Sequence, residues 1–399
     1  MVKTPNLCIV CKGSRYLCGH KPCPLMARFK VLPKVKKSFK KEFLGPSPSI
    51  FIGYTGYPKV SVGPMASLDE SSFEEPSNWY GQDYSKIIEN RSLNIRSKYS
   101  ESIYSSSKIV KLIQDISVAS KPTDVELLFK DKPKYKVSFS NITQPEGPIA
   151  NLRKAKLTEN LKIKRYVDKI ISDELKANQS AGLLYKKGED VYKISTILSS
   201  GILGTKKKRL VPTRWSITAV DDLVAKQLMK KVRDFPSINE YQVFKSKYLD
   251  NKFVILLIPG KWEYENFESW APGSTWYQGE GTEPIIIEEY EPFTGRTKYA
   301  DKETGGYYAA RLGVVEYLAS IKRQARVVVF REISPGYTIP MGVWVVRETA
   351  RNSFKNPPRK FATLDKSLEY IKDEIKNPLN LYIQNSRILR QKRLSDFMK

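Results

Sequence analysis

Hydrophobic positions along the chain follow two periodicities, and these predict its elements. Alternation and short apolar runs mark strands at 50–52 and 60–62, joined by a turn containing Gly53, Gly56 and Pro58. Further strands are predicted at 125–129 and 135–139, and at 240–248 and 253–258 around Leu249-Asp250-Asn251. The run 253–258, FVILLI, is apolar throughout, the pattern of a central strand covered on both faces. Residues 285–290, 326–331 and 342–347 complete the strand candidates. Apolar residues at helical spacing predict helices at 86–91, 109–116, 157–175, 307–323, 364–375 and 379–389. Another is predicted from Thr218 as N-cap, through Leu223, Gln227 and Leu228, to Val232.

Strands and helices mixed in this way predict an α/β or α+β fold, a mixed sheet core with flanking helices. A chain of 399 residues with 41% hydrophobic content is long enough for two domains. The expected division is 1–41 as a basic knuckle and linker, 42–280 as a large central domain, 281–378 as a smaller α/β domain, and 379–399 as a helix followed by a disordered C-terminal tail. No run of eighteen apolar residues is present, and the opening MVKTPNLCIVCKG lacks the apolar core of a signal peptide. An intracellular, cytoplasmic location is the expectation.

Charge changes this picture. Sixty-eight Lys and Arg against 42 Asp and Glu give a net charge of +26. Such a surface attracts polyanions, nucleic acid foremost, because phosphate contacts release counterions. Abundant Lys and Glu with one His also fit the composition of a heat-adapted organism. The excess is uneven: residues 1–41 carry eleven Lys or Arg and no acid, whereas 263–303 is acid-rich.

All four cysteines lie in the first 23 residues, as Cys8-x2-Cys11-x6-Cys18-x4-Cys23. Two thiolate pairs across a short loop can close a tetrahedron around a structural Zn2+. Cys8 to Gly13 has the form of a zinc knuckle, in which Gly13 allows a left-handed turn that aims N–H groups at sulfur. His20 is an alternative to Cys18, and disulfides are the other use of such pairs. Lys12 and Arg15 sit among the ligands and Lys36 and Lys37 follow in the basic linker, all positioned to meet phosphate.

Four other places carry candidate chemistry. Tyr54 and Tyr57, set among glycines, offer rings that can stack on bases, or that pack a hairpin. The run Lys206, Lys207, Lys208, Arg209 is a solvated loop or a phosphate contact. It leads into 211–222, where Arg214, Trp215 and Ser216 would stand at a helix start with Asp221 and Asp222 close behind. That arrangement is an anion or catalytic site, or merely two acids favouring a helix N-terminus. Arg347 and Glu348 would end the last strand and reach a cleft. The aromatic, acidic stretch from Trp262 to Tyr277 is expected to form an interface between domains.

The last nine residues, QKRLSDFMK, place Gln391, Leu394 and Phe397 at i, i+3 and i+6, with Met398 following. A single helical turn would present Leu394, Phe397 and Met398 as apolar anchors for a groove on a partner. The pattern resembles the box by which replication and repair proteins bind the sliding clamp (PCNA). Met398 departs from it, because the strongest boxes have a second aromatic ring there.

Several longer blocks carry a resemblance over essentially the whole chain: the basic four-cysteine start, SIFIGYTGYPKVSVGPM at 49–65, NWYG at 78–81, RLVPTRWSITAVDD at 209–222, and the C-terminal box. Together they resemble the archaeal Nre family of DNA repair proteins, in its NreA type. The resemblance implies work on damaged DNA in partnership with the sliding clamp, and implies no particular reaction. Two readings follow. One is a DNA-binding adaptor recruited through the clamp. The other is a DNA-processing enzyme, a metal-dependent nuclease or a nucleotide-dependent transferase, with its site around Arg214, Asp221, Asp222 and Glu348. A deep polar pocket shared by these groups would favour the enzyme; local pairing or exposure would favour the adaptor.

Overall fold

The computed structural model describes residues 10–17, 19, 21, 23–26, 33, 36–37, 39–69, 76–135, 144–205, 208–277, 279, 282–337 and 339–391. They fall into two compact units. The first comprises the described residues of Lys21–Phe139 and Pro145–Val224, and the second those of Met1–His20, Ser140–Gln144 and Ala225–Lys399.

Six strands build the sheet of the first unit: β1 Glu42–Ser47, β2 Ile50–Ile52, β3 Lys59–Ser67, β4 Asn94–Ser102, β5 Thr123–Phe129 and β6 Ile149–Leu157. Their order is β1-β5-β6-β4-β3-β2, with β4 and β6 parallel and the other neighbours antiparallel. Burial along β5 alternates, so Val125, Leu127 and Phe129 enter the core while Asp124 and Glu126 face away. Ile50, Ile52, Val60, Val62 and Leu152 join that core, and helix α1 Tyr84–Ser92 precedes the helix that closes it. This is α2 Lys108–Val118, capped by Ser107 and contributing Val110, Ile113 and Ile116. Helices α3 Arg165–Ser172, α4 Ala177–Lys186 and α5 Val191–Ser199 follow, and then α6 Thr213–Val232, whose residues up to Val224 belong to this unit.

The second sheet contains β7 Tyr241–Tyr248, β8 Asn251–Ile258, β9 Glu263–Trp270, β10 Ile285–Glu291, β11 Arg326–Ile333 and β12 Arg359–Phe361. Its order is β10-β9-β11-β8-β7-β12, with β9 and β11 parallel. The hairpin of β7 and β8 turns on Leu249 (φ 43°) and Asp250 (φ 58°), two successive left-handed residues that match the strand twist. Helices α7 Gly305–Ser320 and α8 Trp344–Ser353 pack on one face. On the other lie α9 Leu364–Glu374, α10 Leu379–Asn385 and α11 Arg387–Arg390. Cover on both faces explains the unbroken apolar run of β8: Phe253, Ile255 and Leu257 enter one core, Val254, Leu256 and Ile258 the other. Each such side chain contributes about 2 kcal/mol on leaving water.

Mixed sheets with flanking helices are thus the architecture, with eleven α-helices among the described residues. Four expectations need correction. Residues 342–347 are not a strand but lead into α8, which is buried nearly all round; the valines at 343, 345 and 346 gave the short window a strand-like composition. The helix expected at 157–175 is the end of β6, an extended link and the shorter α3; Ser120 N–H bonds to Lys162 O and draws that link against the neighbouring chain. Helix α6 starts at Thr213, five residues before Thr218, because Pro212 O accepts from the N–H groups of Trp215 and Ser216. The stretch from Trp262 is β9, an inner strand, and Trp262, Tyr264 and Phe267 are wholly buried in their unit's own cores. Of the strand expected at 135–139, residues 136–139 lie outside the described residues.

Candidate nucleic-acid interface

Two blocks far apart in the sequence, 49–65 and 209–222, meet in the first unit. Ile52 N–H, at the end of β2, donates to Thr213 Oγ1 at 3.1 Å, at the start of α6. Thr213 Oγ1 also lies 3.4 Å from Ser199 Oγ, and Ser199 Oγ donates to Val211 O at 2.6 Å. One buried hydroxyl cluster thus fixes the 53–58 loop against the beginning of α6.

The loop is itself held by short backbone bonds. Tyr57 N–H donates to Tyr54 O and Lys59 N–H to Gly56 O. Gly56 has φ +84°, and a Cβ there would lie 2.8 Å from Lys59 O, so the turn requires glycine. Ile103 N–H bonds to Pro58 O, and Leu210 N–H bonds to Ile103 O. Three segments, 53–59, 103–104 and 208–215, therefore run side by side.

Their side chains present rings and cations. Tyr57 and Trp215 touch, with ring centroids 5.0 Å apart and planes at 56°. The Arg214 guanidinium lies over the Tyr54 ring at 5.6 Å. Tyr54, Tyr57, Trp215 and Tyr104 remain 49%, 43%, 44% and 65% exposed, although water is a poor environment for such rings. Lys59, Lys208, Arg209 and Arg214 are exposed beside them. No Asp or Glu occurs in the three segments; Glu101, two residues before Ile103, is half-buried and accepts from Ser107 Oγ at 2.6 Å.

The other expected residues are distributed as follows. Lys206 and Lys207 lie outside the described residues; Lys12, Arg15, Lys36 and Lys37 are exposed. Ser216 is buried and donates to Thr213 O, so it is turned away from any anion at the helix start. Asp221 is wholly buried and Asp222 half-buried further along α6. In the second unit, Arg347 and Glu348 are buried on α8, and Glu348 Oε1 accepts from Arg351 NH1 at 2.9 Å. Arg351 also forks onto Glu316, at 2.7 Å on both bonds. Sequence reasoning missed Trp215, Tyr104, Lys59 and Thr213 as parts of the surface. The only signal was a Trp beside an Arg at the edge of an apolar pattern.

Cys11 and Cys23 are buried; Cys8, Cys18 and His20 lie outside the described residues. Around Cys11 the chain forms a tight turn through Lys12 (φ 47°) and Gly13 (φ 77°). Burial pushes the Cys11 thiol up, but N–H groups of Leu17, Arg15, Gly13 and Tyr16 outweigh it and hold the pKa below the ordinary thiol value. A sulfur so surrounded suits a zinc-bound thiolate. Among the described residues, no three His, Cys, Asp or Glu side chains gather in a metal-binding group. Nor is any helix among them long and apolar enough to cross a membrane. Gln391 closes α11, while Leu394, Phe397 and Met398 lie outside the described residues.

Comparison with known proteins covers nearly all of the chain. Family models described as the archaeal Nre N-terminal and C-terminal regions match residues 17–277 and 291–397. A protein of Archaeoglobus fulgidus named DNA repair protein NreB is 36% identical over 400 residues, 98% of this chain and all of the relative. DNA repair protein NreA of the same organism is 36% identical over 93% of this chain and 94% of its own length. DNA repair protein NreA of Haloferax volcanii is 36% identical over 78% of this chain and 77% of its own. No solved structure gives a significant match.

Proposed function

Because the chain belongs to the archaeal Nre family, we propose that it is a DNA repair protein that binds DNA on the surface around Tyr57 and Trp215 and is brought to damaged or replicating DNA by the sliding clamp (PCNA). The names of its relatives support the repair role. One observation carries the binding site: exposed rings and four exposed cations converge from three chain segments that contain no acid. Phosphates would meet Lys59, Lys208, Arg209 and Arg214 while the rings face bases.

An adaptor is favoured over a DNA-processing enzyme because the candidate catalytic groups have local engagements. Arg214 lies over Tyr54, and Glu348 takes a hydrogen bond from Arg351. Zinc held by Cys8, Cys11, Cys18 and Cys23 would have a structural role, since four protein ligands leave no position for a reacting water.

The test is DNA affinity by fluorescence anisotropy across a salt series. Four phosphate contacts imply a fall of about fifty-fold or more between roughly 50 and 200 mM salt. The double variant Arg209→Glu, Arg214→Glu should bind about tenfold more weakly and flatten that slope, with an unchanged thermal melt. A flat salt response in the parent protein, or undiminished affinity in the variant, would overturn the assignment.

A further inference from the structure

We infer that this surface takes DNA bases that have no partner strand, in single-stranded or locally unpaired DNA, and takes them with little regard to sequence. The inference rests on the DNA-binding reading and adds the class of DNA. In a duplex the faces of the bases are stacked on one another, and only their edges are open in the grooves. Aromatic side chains standing out of a surface meet a base face only where a strand has come unpaired. Tyr54, Tyr57, Tyr104 and Trp215 stand out in this way, each at least 43% exposed.

The helix beside them is badly placed for the alternative. Reading a major groove requires a helix whose exposed face can lie along the groove. Helix α6 exposes Arg214 and Trp215 in its first turn, but Ser216, Val220 and Asp221 are buried immediately beyond. From 216 to 225 no residue of the helix is exposed, and exposure returns only at Lys226, Lys230 and Lys231, so no continuous open face starts at Arg214 and Trp215. Residues 53–59, 103–104 and 208–215 also contain no Asn or Gln, the side chains that read adenine edges, and Arg214 lies against Tyr54. What remains is ring faces with flanking cations, the combination that binds a single strand by stacking and backbone charge.

The rings are also held ready. Tyr57 rests on Trp215, Tyr54 lies under Arg214, and Thr213 ties the loop to the helix start. Little side-chain freedom is then lost when a base arrives.

The experiment compares labelled DNAs of about 20 nucleotides with the full-length protein at one salt concentration: a single strand, its blunt duplex, and that duplex with a short unpaired bulge. The single strand and bulge should bind about tenfold tighter than the blunt duplex, across unrelated sequences. Trp215→Ala and, separately, Tyr57→Leu, which keeps an apolar side chain without a flat ring, should weaken single-strand binding by about tenfold and leave duplex binding nearly unchanged. Both variants are checked for a parental thermal melt, and Tyr54→Ser in the loop supplies a third that leaves the Tyr57–Trp215 contact intact. Equal or tighter binding of the blunt duplex, or ring variants that weaken both DNAs alike, would overturn the inference and leave DNA binding standing. Absence of binding to any of the DNAs would overturn both.

Discussion

Glu265 occupies a position where a negative charge is hard to keep. It is wholly buried on β9 and accepts from Ser386 Oγ and from Arg387 N–H, the latter at 2.6 Å. Burial dominates and raises its pKa to about 7, against those two hydrogen bonds. The folded protein therefore holds this proton more tightly than the unfolded chain does. The stability it contributes is complete below the unfolded value, near 4.5, and is lost as pH rises towards 7. The loss amounts to about 3 kcal/mol at most. Glu265→Gln, a neutral side chain of the same shape, should remove that decline. Melting curves of parent and variant should nearly coincide at about pH 5, with the variant the more stable by several degrees at about pH 8. An unchanged pH profile would refute the assignment. Glu374 behaves oppositely: burial would raise it, but hydrogen bonds from Lys245 and Lys252 prevail and bring it to about 2. Its contribution is present at neutral pH and disappears in acid. Other acids are paired across strands. Glu263 and Glu268 are five residues apart, and so are Arg326 and Arg331, which the parallel register of β9 and β11 sets opposite them. The acid-rich stretch was expected to form an interface between domains, and its burial as β9 was not legible because the arginines that pair with Glu263 and Glu268 lie more than fifty residues away.

Elements were readable where a turn or a long enough run of spaced apolar residues marks them. The β7–β8 hairpin, β10, α7 and α9 were read within a few residues, the hairpin from its turn and the two helices from apolar residues at helical spacing. Helix α8 was missed because the short window 342–347 holds Val343, Val345 and Val346, the residue type that marks a strand. The expected helix at 379–389 is two, divided at Ser386, which ends α10 and caps α11. The turn after Cys11 was readable because its chemistry is local. Gly13 takes the left-handed conformation that the spacing required, and N–H groups surround the Cys11 sulfur. From that turn follows a prediction about metal. Protein purified without chelator should contain about one zinc per chain by elemental analysis, and Cys11→Ser should lose most of it. Metal-free protein in a fresh preparation would exclude the site. Of the Tyr57–Trp215 surface, the stacking rings and the cation at a helix start were each legible as candidates. Their meeting was not, because only the tertiary tie through Thr213 brings the two blocks together.

The clamp contact proposed for the C-terminal segment can be tested on the whole molecule. Helix α11 is fastened upstream of the proposed clamp box. Ile388 is buried, Arg326 NH2 donates to Ile388 O at 2.9 Å, and Glu265 holds Ser386 and Arg387. These anchors all precede Gln391, so a chain ending at Arg390 keeps every one of them. Removing 391–399 should therefore leave the melting temperature within a degree or two of the parent and leave DNA affinity largely intact. It should abolish capture by purified clamp. The double variant Leu394→Ala, Phe397→Ala should do the same, because two apolar anchors supply most of the affinity of so short a segment. With Met398 in place of a second aromatic ring, the parental contact should exchange rapidly, with a dissociation constant on the order of micromolar. Capture of the truncated chain at parental strength would place the clamp contact elsewhere in the molecule. A truncated chain that melts much lower would instead show that the tail belongs to the fold.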